Sequence, residues 1–155
     1  MPRHLASFGI GFVAGLRSMT ACAALSWAAS RGRTRSDWIP SGPLPRGLAT
    51  AAALAEMAGD KMPFAPDRRI PPSLAARLAI GAVGGAALAG RDISPATGAV
   101  AGMAGALAGT RLGRAARGGT TRSGFDLARG LTEDVVAAGL ATALVNAAAE
   151  GRNAG

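Results

Sequence analysis

The chain has 155 residues, enough for one domain, and 49% of them are apolar although aromatics make up only 4% and tyrosine is absent. Alanine (38 residues) and glycine (23) supply most of that apolar character, which is too little bulk for a conventional water-soluble core. A charged fraction of 17% and a mean hydropathy of +0.26 exclude intrinsic disorder. Seventeen basic against nine acidic residues give a net charge of +8, carried almost wholly by arginine. These arginines fall between apolar stretches, as in Arg31, Arg33 and Arg35, Arg68 and Arg69, and Arg111, Arg114, Arg117 and Arg122. Such spacing suits loops beside anionic lipid headgroups rather than a nucleic-acid face with stacking aromatics.

The pattern predicts an all-α, integral membrane bundle of four to five helices packed through glycine, within a single domain over 1–155. The first helix is expected from about Leu5 to Ala29, long enough to cross a hydrocarbon core, with Trp27 and Trp38 as interfacial anchors. A signal peptide is the competing reading, but Arg17 interrupts the apolar run and no cleavage site follows. Next comes a loop containing Pro40, Pro43 and Pro45, then a short second helix from Gly47 to about Met62 carrying Glu56 and Asp60. That helix is expected to tilt, stop partway or be re-entrant. Pro63, Pro66, Pro71 and Pro72 mark a non-helical connection.

The third helix is expected over about Ser73–Gly90, with Gly81, Gly84 and Gly85 in its body and Arg77 near its start. The fourth runs over about Pro95–Leu112, lined by Gly98, Gly102, Gly105 and Gly109 at spacings that form one stripe. After a polar, glycine-rich loop, Thr132 caps a fifth helix running to about Ala149, with Glu133 and Asp134 in its first turn. Gly11 and Gly15 are the close-packing positions of the first helix.

Two internal matches link these segments: Gly11-Phe-Val-Ala-Gly-Leu with Gly98-Ala-Val-Ala-Gly-Met, and Gly47-Leu-Ala-Thr-Ala with residues 139–143. They outline two units, about 9–62 and 96–149, joined by helix 73–90, that enter the membrane from opposite sides as inverted repeats do. Chance similarity between Ala- and Gly-rich segments is the alternative. Basic residues are spread nearly evenly over the two sides, with a slight bias toward a cytoplasmic N-terminus.

Polar groups at membrane depth are where chemistry is expected. Arg17, followed by Ser18 and Thr20, lies mid-helix, where a charge needs a cavity or a counter-charge. Glu56 and Asp60, one turn apart, are its natural partners, with Lys61 beside them. Either these six residues form a path for an ion or small solute, or Arg17 and Glu56 form a pair that only pins helices. Arg68, Arg69 and Arg77 are assigned to lipid headgroups. The sole histidine, His4, lies at the N-terminus, and nucleophile-elbow, Walker and zinc motifs are absent, so neither an enzyme nor a metal or cofactor is expected. Cys22 excludes an internal disulfide.

The segments Gly15-Leu-Arg-Ser-Met-Thr-Ala and Ala55-Glu-Met-Ala-Gly-Asp-Lys-Met-Pro, with Pro66, Arg68 and Pro71 and the glycine helices, resemble an uncharacterised bacterial integral-membrane family that carries a domain-of-unknown-function label. The resemblance implies a multi-pass protein of the bacterial inner membrane and supplies no activity. The expected function is therefore a small channel or transporter, homo-oligomeric in the bilayer and without nucleic-acid partners. A non-transporting structural or accessory membrane protein is the alternative.

Overall fold

The computed structural model describes residues 3–59, 71–90, 93–117, 132, 134–144 and 146. Among them the chain is all-helical: α1 (Arg3–Leu16), α2 (Ser18–Ser30), α3 (Pro43–Gly59), α4 (Pro71–Leu88), α5 (Pro95–Arg117) and α6, a helical stretch over residues 134–144. No helix among the described residues is long and apolar enough to cross a membrane.

Prolines open three of these helices. Pro43, Pro71 and Pro95 each stand at the first helical position, where proline's fixed φ suits the turn and its missing N–H costs no bond. Of the prolines expected in the connections before the second and third helices, Pro43 and Pro45 lie inside α3 and Pro71 and Pro72 inside α4; Pro40 stays in the loop, and Pro63 and Pro66 lie outside the described residues. Ahead of α5, the Ser94 hydroxyl accepts a bond from the Thr97 N–H at 3.0 Å, an N-cap.

The largest departure from expectation lies in the first segment. Instead of one helix from Leu5 to Ala29, the chain breaks at Arg17, whose backbone is extended at φ −145° and ψ 104°. The helix then folds back on itself. Leu25 and Ile10 both reach within 3.2 Å of where a side chain on Gly84 would begin, although residues 10 and 25 of a straight helix would stand about 22 Å apart. α1 and α2 are therefore the two arms of a helical hairpin with Arg17 at its tip.

α3 returns alongside α2 in the opposite direction, its Arg46 at Ser30, Thr50 at Trp27 and Glu56 at Ser18. α4 runs against α1, with the Ser7 hydroxyl donating to the Gly85 carbonyl at 2.8 Å and Arg77 reaching Gly15. α5 runs with α1, since Phe8 and Phe12 meet Gly105 and Gly109 while Gly15 meets Ala106 and Thr110. Two like-directed neighbours do not have the inverted relation expected of units 9–62 and 96–149, at least for this matched pair. Residues 134–144 run back past α1 from Asp134 at Arg17 to Leu144 at Gly9.

Glycine makes these approaches close. On α5, Gly98 and Gly102 face Gly81 and Gly85 of α4, whereas Gly105 and Gly109 face α1, and Gly102 also meets Gly11. The stripe thus serves two neighbours. A β-carbon on Gly11, Gly15, Gly85, Gly102, Gly105 or Gly109 would run into backbone atoms of the facing helix. Gly84 instead receives side chains of α1 and α2. At the far end of the hairpin, the Arg35 guanidinium donates to the Gly90 and Ile93 carbonyls at 3.1 and 2.9 Å, covering the end of α4.

Candidate functional site

A break inside a buried helix leaves C=O groups at the end of α1 and N–H groups at the start of α2 without helical partners. Side chains from three other helices meet those groups. The Gly15 carbonyl accepts bonds from the Arg77 guanidinium of α4 and, at 3.3 Å, from the Thr110 hydroxyl of α5. Glu56 of α3 accepts the backbone N–H groups of Ser18 at 3.2 Å and Met19 at 2.9 Å, one on each carboxylate oxygen. An anionic carboxylate thereby caps the positive end of the α2 dipole.

Arg17 itself is 2% exposed and is the largest fully buried side chain of the described residues. Its guanidinium lies 2.5 Å from the Asp134 carboxylate at the start of α6. A charge so deep requires a counter-charge, because removing it from water costs several kcal/mol. The partner is Asp134 and not Glu56, which is held by α2 backbone. The pair expected between Arg17 and Glu56 is therefore replaced by two separate arrangements at one level of the bundle. Ser18 contributes its N–H to Glu56, while its hydroxyl donates to the Ala14 carbonyl at 3.4 Å across the break.

Arg77 corrects its headgroup assignment. It is 6% exposed and its guanidinium points inward, because the Gly15 carbonyl freed by the hairpin turn needs a donor there. Asp60, Lys61, Arg68 and Arg69 lie outside the described residues. Thr20, in the first turn of α2, is 6% exposed, and its hydroxyl has no hydrogen-bond partner.

Asp134 and Thr110 were missed as members of this site. Asp134 carries a signal in the sequence: it opens an apolar stretch that has no charge up to Asn146, so it has few reasons to be there besides a dipole and a buried cation. Thr110 carries none, since a threonine near a helix end is common. Compared with known proteins, the chain matches no family model, no curated protein and no solved structure.

Proposed function

We propose that this is a small membrane protein that passes an ion or small solute across the bilayer at the tip of the α1–α2 hairpin. The observation that carries the reading is the break at Arg17, where half-helix ends and charged groups from three other helices, Glu56, Arg77 and Asp134, converge inside the bundle. Non-helical backbone at membrane depth is tolerated where protein buries it or where it lines a cavity, and paired half-helix ends are how many transporters hold ions.

The distribution of side chains supports a lipid setting. Among the described residues, fourteen large apolar side chains are exposed, including Leu44, Leu48, Val100 and Val135. Only seven buried ones are Leu, Ile or Val; the rest of the buried apolar set is alanine. Three charged side chains, Arg17, Arg77 and Asp134, are inside. Water favours the reverse arrangement, whereas lipid is as apolar as leucine and rewards close contacts between small residues. α5, at 23 residues, is about 34 Å long, against a hydrocarbon core of about 30 Å. The resemblance to a bacterial inner-membrane family belongs to the same reading.

One observation favours a second reading, a non-transporting component. Glu56, Arg17 and Arg77 each bond within the chain, as they would if their work were to pin helices. Flux into sealed liposomes separates the two. Purified protein should carry chloride, potassium or protons at rates at least about tenfold above protein-free vesicles. Glu56→Gln and Arg17→Gln should remove that flux while circular dichroism stays helical. Folded wild-type protein that carries none of the three ions would leave the structural component standing.

A further inference from the structure

At the far end of α2 from the break, two cations stand on one aromatic ring. The guanidinium carbons of Arg31 and Arg46 lie 5.5 and 4.8 Å from the centre of the Trp27 ring. Thr50 holds that ring, since its hydroxyl accepts the indole N–H at 3.2 Å and donates to the Arg46 carbonyl at 2.7 Å. One turn further along, the Ser30 hydroxyl donates to the Trp27 carbonyl at 2.9 Å and accepts from the Arg46 guanidinium at 3.4 Å. Trp27 and Thr50 thus form one level of the α2–α3 pair, and Ser30, Arg31 and Arg46 form the next. Both guanidiniums come to the ring from that second level.

The neutral polar groups of this cluster satisfy one another, and its charge is left over. A second cation on one ring adds repulsion between like charges to the attraction that each gains. Arg46 also stands in the first turn of α3, the positive end of that helix, which carries no acidic residue. Neither arginine makes an ion pair among the described residues, and the Arg46 Nε is buried without an acceptor. Three positive contributions therefore meet with no counter-charge. Arginine's planar fork matches the oxygens of a phosphate, and two such forks on a rigid ring form a receptor for one. Leu44 and Leu48, in the first two turns of α3, are 72% and 62% exposed, which places apolar surface close to the charge.

We propose that Arg31 and Arg46, steadied by Trp27, bind a phosphate group, supplied by an anionic phospholipid headgroup or by free phosphate. The exposed leucines favour the lipid, whose acyl chains they would meet. The site does not rest on ion passage at the hairpin tip; only its lipid source rests on the lipid setting.

Trp38→Phe leaves Trp27 as the single tryptophan, so its emission reports on the site directly. The full chain carrying that substitution, in maltoside micelles at constant ionic strength, is titrated with dihexanoyl phosphatidylglycerol and separately with inorganic phosphate. At least one of them should shift the Trp27 emission saturably. Arg31→Gln and Arg46→Gln should each weaken the apparent affinity at least about tenfold. Arg111→Gln, at an exposed position of α5, removes the same charge and should leave the affinity unchanged. Should Arg46→Gln not fold, Arg31→Gln, whose side chain is exposed, carries the test. Saturation by the lipid alone assigns the site to a headgroup, and saturation by inorganic phosphate assigns it to a soluble phosphate ligand. Silence toward both probes overturns the proposal, as does a common affinity for Arg31→Gln and Arg111→Gln, which marks diffuse attraction to a basic protein.

Discussion

At the scale of single residues, three buried side chains hold the break open, and their costs should differ in kind. Arg17 and Asp134 form a charge pair inside the bundle. Deleting one partner strands the other charge, so Asp134→Ala should destabilise the fold by about 3–5 kcal/mol. The double variant Arg17→Met, Asp134→Leu removes both charges of the pair and should recover most of that loss. Denaturant melts of the two in micelles check this, and equal losses would remove the pair from the account. Arg77 is a different case, because it supports a backbone carbonyl. Arg77→Met leaves Gly15 with Thr110 alone and should cost about 1–3 kcal/mol. Arg17 was legible in the sequence as a charge needing a partner. Its partner was not, because Glu56 and Asp134 are equally plausible counter-charges until the chain path is known.

At the scale of helices, glycine determines what may approach what. Gly102 sits between the backbones of α4 and α1, so even one added carbon collides with the Gly81 carbonyl. Gly102→Ala should therefore lower the melting temperature and weaken the α1–α4–α5 contact. Gly139 meets nothing within 4 Å. Gly139→Ala should gain about 0.5–1 kcal/mol from helix propensity. Opposite signs in one thermal-melt series would show that packing, not composition, explains the glycines; a loss at both positions would contradict that. The glycine stripe of α5 was legible from its spacing, and so was the all-helical character of the described residues. The hairpin was not, because no proline or glycine stands at position 17 to announce a turn. The bend depends on Glu56, Arg77 and Asp134, donors and acceptors that lie 39, 60 and 117 positions further on. Pro43 and Pro71 were misread for a related reason: proline ends helices from within yet starts them comfortably, and both start one, as Pro95 was expected to and does.

At the scale of the molecule, the bundle buries Arg17, Arg77 and Asp134 and leaves many of its bulky apolar side chains outside. Arg31, Arg35 and Asp37, beyond α2, and Arg111 and Arg114, near the end of α5, are exposed at opposite ends of the bundle. If the proposed lipid setting holds, the protein should stay in the pellet when membranes are washed with alkaline carbonate. Release into the supernatant would remove the lipid setting and the transport reading with it.

The hairpin is the claim on which the rest depends, and in the proposed lipid setting it fixes sidedness. If α1 and α2 fold back at Arg17, His4 and Asp37 emerge on the same face of the membrane; if residues 5–29 crossed as one helix, they would emerge on opposite faces. Single cysteines at His4 and Asp37, in a Cys22→Ala background, can be labelled with a membrane-impermeant maleimide in right-side-out and in inverted vesicles. Both positions should label in the same vesicle orientation and be shielded together in the other. Labelling of His4 in one orientation and Asp37 in the other would contradict the hairpin and the site built on its tip.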